Sequence, residues 1–162
     1  MTGEGDVRRG TVLVVEDDEG LRRLIARRLA AAGVEVAEAA TATACLALLG
    51  RSEPALLIVD YSLPDFSAPA LLDRLAATGR TIPFLVATGQ GNEQVAVEMM
   101  RRGARDYLVK DHRFLDRLPD VTLRQLDQIA AERLLAVAER AREQSDKRLQ
   151  RLVENLGDQY FL

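Results

Sequence analysis

Several short apolar runs in this chain end in a residue that can do chemistry. Ala55-Leu56-Leu57-Ile58-Val59 runs straight into Asp60, and Thr11-Val12-Leu13-Val14-Val15 runs into Glu16 and Asp17. Ile82-Pro83-Phe84-Leu85-Val86-Ala87 is followed by Thr88, and Asp106-Tyr107-Leu108-Val109 by Lys110. Apolar runs of this length, bounded by turn residues, suit strands buried on both faces. Open α/β sheets place their ligand crevice at the carboxyl ends of such strands. A lone acid there caps a turn as readily as it reacts, and Asp60 alone would leave both readings open. Three carboxylates meeting in one crevice raise one another's proton affinity unless a cation sits among them. Oxygen ligands with waters suit Mg²⁺. Acids, a metal ion, a hydroxyl and an ammonium are the parts needed for phosphoryl transfer to a carboxylate. Asp60 is then the nucleophile, and the cations and donors neutralise charge on the transferred group.

The elements that must hold these groups alternate. After the first strand, Leu21, Leu24, Ile25 and Leu29 recur at helical spacing as far as the stop at Gly33. Val34-Glu35-Val36-Ala37-Glu38 alternates as a half-exposed edge strand does. Thr41 opens a second helix through Leu49, closed by Gly50. A third helix is expected from Phe66 to Ala77, and a fourth from the cap Asn92 to Arg102, stopped by Gly103. Pro83 must lie near the start of its strand, where a missing donor is tolerated. Strict strand–helix alternation over about a hundred residues predicts an α/β fold, a doubly wound parallel sheet with right-handed crossovers. The first and third strands are then neighbours, which brings Glu16 and Asp17 to Asp60. Glu16-Asp17-Asp18-Glu19 also reads as first-turn acids favouring a helix dipole, a role that suits Asp18 and Glu19.

Composition excludes several classes. The chain has 162 residues, 48% apolar and 29% charged, with a net charge of -3. It is not basic enough for nonspecific nucleic-acid binding, and with 4% aromatics and no Trp it offers no stacking platform. No Gly-rich nucleotide loop follows the first strand. No apolar run spans a membrane, and residues 1–10 form a loose polar tail without a signal-peptide core, so a cytoplasmic location is expected. Cys45 lies among Ala and Leu in a helical pattern, as a small buried apolar residue would. His112, the single histidine, follows Lys110-Asp111 in an exposed turn and reads as solvated.

Beyond Pro119 a run without Pro or Gly reaches Leu156. Leu123, Leu126, Ala130, Leu134, Val137, Ala141, Leu149, Leu152 and Leu156 lie mostly three or four apart. Gln144-Ser145 and Arg148 break a clean heptad. The run is expected to be an amphipathic helix that pairs with another chain, most simply a second copy. The other reading is a helix lying on its own domain.

The pattern resembles the receiver (response-regulator) domain of bacterial two-component signalling over roughly residues 10–112. The likeness rests on Val14-Val15-Glu16-Asp17-Asp18, Ile58-Val59-Asp60-Tyr61-Ser62-Leu63-Pro64, Val86-Ala87-Thr88-Gly89 and Asp106-Tyr107-Leu108-Val109-Lys110, in register with the strand alternation. The resemblance implies five strands in the flavodoxin-like order 2-1-3-4-5. It makes Asp60 the phosphoacceptor, with Glu16, Asp17, Asp60 and the Ser62 carbonyl as Mg²⁺ ligands. Thr88 and Lys110 would bind phosphate oxygens, and Tyr107 would move inward with Thr88 as a switch. The partner would be a histidine kinase or a histidine phosphotransfer protein, with no direct nucleic acid or membrane contact. Such a protein is not an enzyme with an external product. It catalyses only its own phosphorylation and dephosphorylation. Ser62 and Gln90 stand at positions that tune dephosphorylation in the family. The ending Asp-Tyr-Leu-Val-Lys-Asp resembles receivers that precede sensory and kinase modules. Residues 148–162 are similar to the opening helix and first strand of a PAS sensor domain. The expected organisation is a tail over 1–10, a receiver over 11–118, a helical linker over 119–156 and the start of a following domain over 157–162.

Two departures stand out. Asp111 replaces the proline that usually follows the lysine, so the Lys110–Asp111 bond is expected to be trans. Ala68 replaces a glycine after the third strand, so that loop cannot use glycine dihedrals. These support a competing reading as an unphosphorylated dimerisation scaffold, which the intact acids, Thr88 and Lys110 oppose. A phosphohydrolase with an aspartyl intermediate would carry a second acid two residues after the nucleophile, where Ser62 stands.

Overall fold

A computed structural model describes residues 9–89 and 91–160, the side chain of Tyr160 excepted. The expectation for the tail therefore falls almost wholly outside the described residues, as does the role of Gln90. The elements follow in strict alternation: β1 (Thr11–Val15), α1 (Glu19–Ala31), β2 (Glu35–Ala39), α2 (Ala42–Leu49), β3 (Leu56–Asp60), α3 (Ala68–Ala77), β4 (Phe84–Thr88), α4 (Glu93–Arg101), β5 (Asp106–Val109) and α5 (Phe114–Tyr160). The five strands are parallel in the order β2-β1-β3-β4-β5, the doubly wound arrangement that the alternation predicts.

Apolar composition decides which strands lie inside. Every residue of β3 and β4 is buried, as are Val12 to Val15 of β1. A buried Leu or Val side chain contributes roughly 1.5–3 kcal/mol, so these strands supply much of the driving force. β2 stays half exposed at one edge, as its alternation predicts. The helices close the faces with side-chain caps. Asp18, Thr41, Ser67 and Asn92 each accept a backbone N–H in the first turn of the helix they precede. Gly33 and Gly103 take positive φ after α1 and α4, which a side chain would strain.

Some boundaries move. β4 begins at Phe84 and not at Ile82. Pro83 has no N–H to give, but its carbonyl accepts from Leu57 N at 2.9 Å, so it joins the sheet through its acceptor alone. The third helix begins at Ala68, two residues after Phe66, with Ser67 as its cap. The last helix begins at Phe114, and Pro119 lies inside it instead of before it. Pro119 is in the second turn, where its ring removes one ladder bond close to the helix start. Asp111 leads into this helix: its carboxylate accepts from Arg113 N at 2.9 Å and its carbonyl from Phe114 N at 3.1 Å. No cis peptide bond occurs among the described residues, so Lys110–Asp111 is trans as expected.

The chain divides into two units, one ending at Asp127 and one starting at Gln128. In the first, α5 buries Phe114, Leu118, Val121 and Leu126. In the second, the helix continues through Gly157 to Tyr160, so the described part of 157–162 is helical. Its Leu134, Leu135, Val137, Leu149, Leu152, Val153 and Leu156 are all exposed. No helix among the described residues is long and apolar enough to cross a membrane.

Candidate functional site

The register of the sheet fixes which strand ends meet. Val15 pairs with Val59, Asp60 with Ala87, and Thr88 with Val109. The ladder continues one step past the strands through Glu16 N to Ala39 O at 3.0 Å, Tyr61 N to Ala87 O at 2.9 Å and Lys110 N to Thr88 O at 2.8 Å. Glu16, Asp60, Thr88 and Lys110 therefore leave adjacent strand ends at nearly the same level. They share one edge because the chain leaves β1 for β2 on one side and returns to β3 on the other.

The side chains converge. Glu16, Asp17 and Asp60 each offer a carboxylate oxygen, and these atoms lie within 4.8 Å of one another. Glu16 and Asp60 are buried and Asp17 is exposed, so the cluster opens to solvent on one side. Lys110 Nζ lies 2.5 Å from Glu16 Oε2 and 3.1 Å from Asp60 Oδ2. Ser62 N donates to Asp60 Oδ1 at 3.2 Å, and Asp18 N to Glu16 Oε1 at 3.2 Å. Asp60, Ser62, Thr88, Gly89, Asn92 and Lys110 line an open cavity of about 430 Å³. Gly89 has nothing within 4 Å of where a Cβ would stand, so the rim beside Thr88 is sterically open. Tyr107 is half buried and packs against the core, with its backbone N donating to Asp106 Oδ1 at 2.8 Å. A larger groove, about 620 Å³, runs along α4 past Glu93, Val97 and Arg101, and none of the strand-end groups lines it.

Charge balance in the cluster follows from burial. Burial pushes the Glu16 carboxyl above the ordinary range and the Asp60 charge adds to this, while Lys110 offsets part of it. Burial works against the Lys110 charge, but Glu16 and Asp60 together outweigh it and hold the ammonium above the usual lysine range. Two buried acids thus share one largely buried ammonium, and with Asp17 at the open side the cluster sets three carboxylates against a single cation. The donor set is carboxylate oxygen, with no sulfur or imidazole, and the three acids already meet. Hard divalent cations with water-completed shells fit such a set, Mg²⁺ above all.

The structure brings together Glu16, Asp17, Asp60, Ser62, Thr88 and Lys110. It also uses residues that sequence reasoning missed. Arg22 on α1 donates to the Glu16 carbonyl at 2.9 Å and pairs with Glu38 at 3.3 Å, which pins the acidic turn. Nothing distinguishes Arg22 from Arg23 in the sequence except the helix face it occupies. Asp65, which reads as a turn residue, reaches the first turn of α2. Its Oδ1 accepts from Ala42 N at 3.0 Å, and its Oδ2 from Thr43 N at 2.7 Å and Thr43 Oγ1 at 2.6 Å. These donors, the Thr43 hydroxyl first, hold the Asp65 carboxyl well below the usual range. Cys45 is fully buried, and burial pushes its thiol up to about 12, so it is chemically quiet. His112 is exposed, as expected.

This fold, with acids, hydroxyl and lysine at one sheet edge, defines a class. The chain belongs to the response regulator receiver domain family, whose model matches residues 12–119. Among characterised relatives, it is 38% identical to the response regulator protein FleR of Pseudomonas aeruginosa over 99 residues, which are 61% of this chain and 21% of that protein. It is 36% identical to the transcriptional regulatory protein FixJ of Rhizobium meliloti over 100 residues, 62% of this chain and 49% of that one. The chain therefore spans between 21% and 49% of the length of these two relatives. Among solved structures, it is similar to a CheY-like response regulator receiver domain protein from Methanospirillum hungatei. The TM-score is 0.67 and the identity 27%, covering 76% of this chain and 98% of that one.

Proposed function

We propose that the chain is a phosphoacceptor receiver in a two-component phosphorelay, with Asp60 as the acceptor. The observation that carries this is the meeting of Glu16, Asp17 and Asp60 beside Lys110 at the carboxyl edge of the sheet. An Asp60 carboxylate oxygen attacks the phosphorus of a phosphohistidine in a kinase or phosphotransfer partner. An O–P bond forms, the N–P bond breaks, and its electron pair stays on the departing imidazole. Glu16, Asp17, Asp60 and the Ser62 carbonyl would hold Mg²⁺, which supplies positive charge to the phosphoryl oxygens. Ser62 N orients the acceptor through its bond to Asp60 Oδ1. Lys110 is placed to follow the charge from the free carboxylate onto the transferred group, and Thr88, one strand over, to donate to it. Tyr107, packed against the core one strand from Thr88, is assigned the switch role with it. The intact set of acids, Thr88 and Lys110 weighs against a scaffold that does not phosphorylate.

The test is labelling of the whole chain. With Mg²⁺ and acetyl phosphate it should gain one acid-labile phosphoryl group, and EDTA should prevent it. A chain that stays unlabelled, with Mg²⁺ titration by calorimetry also silent, favours the scaffold.

The same reading places the protein in the cytoplasm and makes residues 119–156 a coiled-coil linker leading into a PAS-like domain that starts at 157, the second unit holding most of that linker. Its exposed leucines and valines, with both charge signs between them, suit a second copy of the helix. Sedimentation velocity at micromolar concentration should show a dimer. A monomer at all concentrations removes this part.

A further inference from the structure

We propose that Asp65 is a positioning residue for this site: docked on the first turn of α2, it fixes the 61–66 loop that presents Ser62 beside Asp60. The inference rests on the reading of the site given above and names a residue outside the strand ends. The loop is tied at its base, where Tyr61 N donates to Ala87 O at 2.9 Å and Ala68 N to Tyr61 O at 3.1 Å. Between base and tip, Ser62 is exposed, so burial does not hold it. The tip is held by the Asp65 carboxylate. It accepts from Ala42 N, Thr43 N and Thr43 Oγ1, and from Phe66 N at 3.1 Å. Bonds from backbone N–H groups to a carboxylate are the stronger kind, and these also meet the positive end of α2.

The loop is thus a short span clamped at both ends. Next to the base it carries the Ser62 amide, which donates to Asp60, and between the two ties it carries the Ser62 carbonyl. Releasing the tip leaves the Ser62 carbonyl held from the base alone and loosens the amide beside it, although nothing near Asp60 has been altered. Partners beyond the ligands commonly change metal affinity by 10–100-fold when removed.

A role confined to capping α2 would look different. Thr41 supplies a separate cap on the same turn, accepting from Ala44 N at 3.0 Å without touching the loop. Thr41→Ala therefore weakens α2 alone, whereas Asp65→Asn removes the charge and the Oδ2 acceptor that holds Thr43 N and Oγ1, loosening α2 and the loop together. Thr43→Val removes only the hydroxyl donor and keeps the clamp in part.

The experiment follows the Ser62 amide by hydrogen exchange and titrates Mg²⁺ by NMR on the full chain in all three variants. Asp65→Asn should speed exchange at Ser62 at least tenfold and weaken Mg²⁺ about tenfold. Thr43→Val should give a smaller change in the same direction, and remains informative if Asp65→Asn does not fold. Thr41→Ala should change neither. Unchanged exchange and affinity in Asp65→Asn and Thr43→Val overturn the proposal, as does a Thr41→Ala that reproduces them. If the wild type binds no Mg²⁺, the function proposed above falls. The exchange at Ser62 then decides on its own whether Asp65 holds the loop.

Discussion

Asp60→Asn should take up no acid-labile phosphoryl group from acetyl phosphate, with labelling at background at every Mg²⁺ concentration. The amide keeps the shape and the Oδ1 acceptor that Ser62 N uses, so the loop has no reason to move. It removes the anionic oxygen that must form the bond to phosphorus, and no neighbour replaces it. Glu16 is buried and held by Lys110, and Asp17 lies on the exposed side of the cluster. Folding should survive the change. The Asp60 charge is one of the causes that raise the proton affinity of Glu16, so losing it relieves repulsion between two buried acids. The readout is acid-labile phosphate by mass spectrometry, alongside an NMR spectrum showing a native fold. Full labelling in the folded variant would sink the assignment of Asp60, and with it the roles given to Thr88 and Lys110.

The parts of this site that could be read from the sequence are those carried by period and strand ends. Leu56 to Val59 is apolar at every position, which suits a strand buried on both faces, and with turn residues on either side this puts Asp60 at the strand's carboxyl end. The neighbourhood of Glu16 and Asp60 follows from topology once the alternation is seen. What could not be read lies in contacts that no period encodes. Asp65 finds its donors on α2, and a Pro64-Asp65 pair looks the same whether its carboxylate turns back on itself or reaches another helix. Arg22 caps the acidic turn because α1 happens to present that face to Glu38 and the Glu16 carbonyl. The start of the last helix was hidden for a different reason. Pro119 is read as a boundary because it lacks an N–H, yet in the second turn it forfeits a single ladder bond and the helix runs on through it. The turn that does begin this helix is built by Asp111, the residue that departs from the family pattern.

Lys110→Met should split two properties that a purely structural role would lose together. The ammonium is bonded to both buried acids, and its side chain is only 13% exposed. Breaking a buried ion pair from one side leaves an uncompensated charge, and the expected cost in metal-free protein is about 3 kcal/mol. That cost depends on pH. The carboxyl of Glu16 already sits above the ordinary range, and loss of Lys110 raises it further. An acid whose proton affinity is higher in the folded state favours folding below its unfolded pKa, and that advantage is lost as pH rises through the folded value. The variant should therefore recover stability as pH falls below neutrality, and chemical denaturation without metal checks this. Mg²⁺ at neutral pH should restore stability in the same way, because it brings positive charge to the same carboxylates. With a competing ammonium gone, the affinity for Mg²⁺ should hold or rise. Phosphorylation should nevertheless slow by about 10²–10³-fold, the effect of removing one preorganised donor from a charge that builds in the transition state. A folded Lys110→Met that no longer binds Mg²⁺ would mean that the lysine assembles the acids and does not act on the phosphoryl group.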